Sequence, residues 1–216
     1  MIKAVLAKLE ELSPYENPSA FTADGQMENV VRPVWSYADE MLDESIKEAV
    51  TMLPLKHLTE DIDNITVTAN IDADGVGTVE VPDDKEMLRM AYLQFPEWER
   101  SVTRPVDEFS EIAMMQSNPF TRGGTSKPVV VWLSGDKEWK CYSFPQSNPR
   151  SQRSSRCGVV WMPDKSRDEG LQTKRAAEYA ILLCAIQVHG AYNNTANVKF
   201  LREELQTMLS FDNIVL

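Results

Sequence analysis

Apolar and polar positions along this chain follow two periods, and the clearer one marks a helix with a hard stop. Between Asp39 and Leu58, the residues Leu42, Ile46, Ala49, Val50 and Leu53 recur three or four positions apart, the spacing of one helical face. Glu40, Asp43, Glu44, Lys47 and Glu48 fall on the other side. Pro54 has no amide proton and its ring collides with the preceding turn, so a helix running from about Pro33 is expected to end at Leu53. Its apolar stripe reads as core and its acidic face as solvated surface.

The second period is that of a half-buried strand. Ile65, Val67, Ala69 and Ile71 alternate with Thr66, Thr68 and Asn70. Asp72-Ala73-Asp74-Gly75 is a turn, and Thr78 to Val81 returns as the partner strand, closed by Val81-Pro82-Asp83-Asp84. Met87 to Phe95 is apolar without a period and is read as a strand. Asp107 is placed to cap a helix over Glu108 to Gln116, with Phe109, Ile112 and Ala113 inward and Asn118-Pro119 ending it. Pro128 to Leu133 and Glu138 to Phe144 form a hairpin across Ser134-Gly135-Asp136-Lys137, with Trp132, Trp139, Tyr142 and Phe144 as sheet core. Pro145 to Arg156 reads as a polar linker into a strand from Gly158 to Met162.

Helices begin and end the chain. Met1 to Leu12 is a short amphipathic helix, and Ser13 to Arg32 a loop or extended arm rich in Pro, Asn, Ser and Asp. Leu171 to Tyr192 is long and apolar on one side. Asn193-Asn194 turns the chain, and Thr195 can cap a last helix carrying Val198, Leu201, Leu205 and Met208. The order implies an α+β fold: a bundle of N- and C-terminal helices with an antiparallel β insertion. As a single domain over 1–216, residues 1–32 form the first helix and arm. The helical part is 33–60 with 168–210. A β-rich insertion spans 61–167, with one helix near 108–117.

Composition narrows the partners. The net charge of −11 divides into −13 over residues 1–100 and +2 over 101–216. Between 122 and 156, seven cations (Arg122, Lys127, Lys137, Lys140, Arg150, Arg153, Arg156) face only Asp136 and Glu138. An acidic half joined to a basic middle suits head-to-tail contact between subunits, and equally the solvated faces of a monomer. No apolar run approaches the roughly 18–20 residues of a membrane span, and the N-terminus lacks an export cleavage site. Cys141, Cys157 and Cys184 are widely spaced and are expected to be buried free thiols, fitting a reducing compartment.

Candidate chemistry is sparse. Asn70 to Gly75 mimics the start of a calcium loop, but position six after Gly75 is Val81, not the required glutamate, and the flanks are strands. His57 and His189 have no ligand at metal spacing. No nucleophile sits in a hydrolase context and no glycine-rich phosphate loop occurs, so neither catalysis, cofactor nor metal is expected. Paired acids such as Asp83-Asp84 or Asp61 with Asp63 would fit a two-metal nuclease only as common dipeptides do, and a metal-dependent nuclease using Asp72, Asp74 and their neighbours is kept as a third reading. The stretch Arg150-Ser151-Gln152-Arg153-Ser154-Ser155-Arg156 could meet nucleic-acid phosphates or an acidic protein partner.

Taken in order, several of these features carry a resemblance. They are Leu42 to Ile46 with the Leu53-Pro54-Leu55 stop, the Ala73-Asp74-Gly75 turn, Val81 to Asp84, Trp98-Glu99-Arg100-Ser101-Val102, Pro128-Val129, and the alanine-rich closing hairpin. The series resembles head–tail connector (portal-vertex ring) proteins of crAss-like and related Bacteroidales tailed phages. The resemblance implies a connector- or adaptor-like helical fold with a β insertion and no enzymatic role. It also implies a homo-oligomer, a dodecameric ring, between the portal protein and neighbouring tail or ring proteins. Made in the host cytoplasm, it would sit at the head–tail junction of the virion. Passing DNA would be touched at most non-specifically. Contact elements would be the acidic face of Glu40, Asp43 and Glu44, the basic Arg150, Arg153 and Arg156, and the apolar end Phe211, Ile214, Val215 and Leu216. The alternative is a nucleic-acid-binding accessory phage protein that uses loop 150–156.

Overall fold

The computed structural model describes residues 1–9, 20–21, 27–28, 34–82, 85–133, 138–144, 151–164 and 170–211, with backbone alone at 20–21, 27–28 and 211. The chain divides into two compact units, Met1–Asp61 with Pro163–Leu216, and Ile62–Met162.

In the first unit, α1 (Ile2–Lys8) is followed by a two-residue antiparallel pair, β1 (Ala20–Phe21) and β2 (Met27–Glu28). Helix α2 (Val34–Met52) buries Leu42, Ile46, Ala49 and Val50 as their spacing predicts, and Leu53 is buried just ahead of the Pro54 stop. Two 3-10 turns, Leu55–His57 and Thr59–Asp61, close this stretch. Within the unit's remaining chain come the described residues' two last helices, α4 (Lys174–Ala191) and α5 (Thr195–Phe211). Helix α4 packs on α1, α2 and α5, and accordingly is buried nearly all round, from Ala176 to His189. Asp61 holds its start: the carboxylate accepts from the Gln172 and Thr173 amides at 2.5 and 3.1 Å, placing negative charge at a helix N-terminus. Asn193 turns the chain at a φ of 56°, and the cap of α5 is Asn194, not Thr195: its side chain accepts from the Asn197 amide at 3.3 Å.

The second unit is a sheet of seven strands. In chain order these are β3 (Ile62–Ile71), β4 (Val76–Glu80), β5 (Met87–Gln94), β6 (Val106–Asp107), β7 (Val130–Leu133), β8 (Glu138–Tyr142) and β9 (Gln152–Trp161), with the short helix α3 (Glu111–Met115) between β6 and β7. Spatially they run β5-β9-β3-β4-β8-β7-β6, antiparallel except for the parallel β6–β7 pair. Val102, just ahead of β6, bridges to Leu93 on the opposite edge strand, so the sheet curls toward closure. Its inner face is a continuous core of Val67, Ala69, Val79, Leu93, Phe95, Trp98, Trp139, Cys141, Phe144, Cys157 and Val159.

This corrects the expected architecture. The chain is a mixed α/β protein, with a seven-stranded curled sheet and five helices among the described residues, not a bundle of terminal helices with an antiparallel β insertion. Two elements account for the difference. Residues 152–156, read as linker, are the first half of β9, pairing Asn70↔Gln152 through Thr66↔Arg156. The two-residue β6 adds a parallel edge beside β7 that no local pattern announces.

Candidate interaction surfaces

Around α3 the chain satisfies its own backbone and turns its apolar side chains out. Asp107 accepts from the Phe109 amide at 2.8 Å, and Ser110 accepts from the Ala113 amide at 3.2 Å, so Ser110 is the helix cap in place of the expected Asp107. Gln116, only 2% exposed, donates to the Ile112 carbonyl and accepts from the Gly123 amide, both at 2.8 Å. Thr121 donates to the Met115 carbonyl at 2.7 Å, and Asn118 accepts from the Phe120 amide at 3.0 Å. Arg122 locks the return: its guanidinium donates to the Gln116 and Asp74 carbonyls at 3.0 and 2.7 Å and lies 5.7 Å from the Tyr142 ring centre.

The result is a stiff segment with a wet apolar surface. Phe109 is 81% exposed, Met114 63% and Phe120 97%, with Ile112 and Met115 also exposed. The expectation that Phe109 and Ile112 point inward is therefore wrong, since a five-residue helix has no long stripe to bury. Single exposed apolar residues are ordinary, but five large ones within twelve positions are a patch. The legible signal was the crowding of Phe, Ile and Met between turn residues that leave no room for a longer helix.

A second surface lies on the sheet's outer face, where Asn64, Thr66, Thr68 and Asn70 of β3 stand beside Gln152, Ser154 and Arg156 of β9. Hydrogen bonds join Thr68 to Ser154 at 3.3 Å and Gln152 to Asn70 at 2.9 Å. Next to them is an open groove of about 580 Å³ lined by Thr66, Tyr92, Gln94, Pro96, Ser154 and Arg156, with buried Phe95 beneath. Tyr92 fits because Gly158 opposite it has no Cβ, which would run into the ring, and its hydroxyl donates to Asn64.

The structure separates the three predicted arginines. Arg150 lies outside the described residues. Arg153 is opposite buried Ala69, and its Nε is 2.7 Å from Glu97 Oε1. Arg156 is exposed at the groove and forms no ion pair among the described residues. Of the acidic trio on α2, Glu40 and Glu44 are exposed, Glu44 lies 4.0 Å from Lys47, and Asp43 is half-buried. Phe211 ends α5 with its side chain undescribed, and Ile214, Val215 and Leu216 lie outside the described residues.

Asp72 is occupied by its hairpin, accepting from the Asp74 and Val76 amides at 2.9 and 2.8 Å, with Gly75 at a φ of 75°. No cluster of metal-ligating side chains occurs among the described residues. His189 is fully buried, its Nε2 3.1 Å from the Lys8 carbonyl, and so joins α4 to α1. All three thiols are buried and free. Burial pushes Cys157 up to about 12 and Cys141 higher still, with Cys157 nearby adding to the latter. Among the described residues no helix is long and apolar enough to cross a membrane. No family model and no curated protein matches the chain.

Proposed function

We propose that this protein is a structural subunit that works by binding other protein surfaces, with copies of itself among them, and not by catalysis. The observation that carries this reading is the segment from Phe109 to Phe120, whose turns are tied by hydrogen bonds from Ser110, Gln116, Asn118 and Thr121 while its large apolar side chains face water. A surface of this kind gains by being covered, and because it is already ordered it loses little conformational freedom when it is. In the setting to which the sequence resemblance points, it would be a contact between subunits of a head–tail connector ring beneath a phage portal. The acidic face of Glu40 and Glu44 would then repel passing DNA phosphates.

The nucleic-acid reading is weakened by Arg153, whose charge is taken up by Glu97. Electron microscopy of the purified protein, alone and mixed with a portal ring, tests the proposal. Rings or portal-capping layers are expected. Isolated particles of monomer size in both samples would oppose it.

A further inference from the structure

The apolar segment and the outer-face groove complement each other. Within the segment, Glu111 is an exposed carboxylate that has no partner among the described residues and stands between Phe109 and Ile112. Within the groove, Arg156 is an exposed guanidinium that also forms no ion pair among the described residues, and it stands beside the ring of Tyr92 and the ring of Pro96. One surface offers an anion flanked by apolar side chains. The other offers a cation flanked by an aromatic and a proline, in a volume of about 580 Å³ that is ample for an aromatic side chain.

We propose that the α3 segment of one copy docks in the groove of a second copy, with Phe109 and Ile112 against Tyr92 and Pro96 and Glu111 on Arg156. This rests on the assembly reading above and names its interface. The two surfaces belong to the same compact unit and share no residue, so a copy engaged through one still presents the other. Such a contact is heterologous: it joins copies head to tail, and it closes into a ring or continues as a filament according to the angle per step. Apolar contact supplies the attraction. The Glu111–Arg156 pair sets orientation and rejects wrong registers, because like charges in the same place repel.

Charge exchange provides the test. Sedimentation velocity is run over a range of concentrations on the full chain, on E111R, on R156E and on the double variant, each first checked for an unchanged far-UV spectrum and melting curve. Both positions are exposed, so the fold tolerates the changes. The wild type is expected to associate, each single reversal to weaken association by about tenfold or more, and the double variant to recover most of the loss. A wild type that associates while both reversals leave it untouched overturns this interface and spares the assembly reading. So does a double variant no better than the worse single one. A wild type that stays monomeric throughout overturns the interface and the self-assembly on which it rests.

Discussion

Replacing Gln116 with leucine removes the clamp that holds the exposed segment while keeping its volume. The side chain makes two hydrogen bonds, to the Ile112 carbonyl and from the Gly123 amide, each 2.8 Å long. The two losses are unequal. Ile112 is exposed, so water can replace the bond to its carbonyl at a net loss of about 0.5–1 kcal/mol. The Gly123 amide has less recourse: a Cβ there would come within 2.8 Å of the Tyr142 carbonyl and 2.9 Å of the Lys127 carbonyl, so the surroundings are tight. An unsatisfied amide in such a place costs about 1–3 kcal/mol. The sum, about 1.5–4 kcal/mol, corresponds to about a 10- to 800-fold shift toward local opening. Hydrogen exchange followed by mass spectrometry over peptides covering 112–124 reads that shift directly, and urea unfolding reports whether it spreads to the whole unit. Exchange of the Gly123 amide within about threefold of wild type would refute the clamp, and with it the claim that the apolar segment is stiff before it binds.

Three further outcomes follow from the second unit. Gly77→Ala would push a methyl into the Phe144 ring, which packs on Phe95 at 5.0 Å and on Trp98 at 5.7 Å, and is expected to lower urea stability by about 1–3 kcal/mol. Because Cys157 ionises only near 12 when folded and near 9 when not, its thiol favours the native state fully below pH 9. That stability is lost between those pH values at about 1.4 kcal/mol per pH unit, a slope that Cys157→Val should reduce. Arg153→Gln is expected to cost at most about 1 kcal/mol in thermal unfolding, the pair with Glu97 being about a third exposed, and a larger loss would mean the pair is better shielded than its exposure indicates.

Much of the fold was legible where a single local signal decided the element. Pro54 ended α2, the Thr66–Ile71 alternation laid out β3, and Asp72 to Gly75 made the hairpin turn. Failures came where tertiary pairing overrode the local signal. Gln152 to Arg156 shows no apolar alternation because its outward positions are Gln152, Ser154 and Arg156 and its inward ones include Arg153 and Ser155. Pairing with β3 along its length, joined by β5 only at Arg156, makes it a strand. The full extent of the sheet was hidden for the same reason, since β6 is two residues whose partner β7 lies more than twenty positions on. At the candidate surface, the periodicity of Phe109 and Ile112 was visible. Its direction was not, because apolar spacing describes a face without saying what covers it. Arg153 and Arg156 are three residues apart in sequence and lie on opposite faces of one strand, a separation set by the pleat and visible only once β9 is recognised.

Light-scattering mass of the purified wild type, set beside a Phe109→Ser/Phe120→Ser variant, tests the central claim most directly. Both side chains are almost wholly in water, 81% and 97% exposed, so the variant should fold and melt as the wild type does. The wild type is expected at a multiple of the 24.5 kDa chain mass and the variant at, or much nearer, one chain. A wild type of one chain mass at every concentration, or a variant whose mass matches an assembled wild type, would contradict the assignment of that segment to assembly.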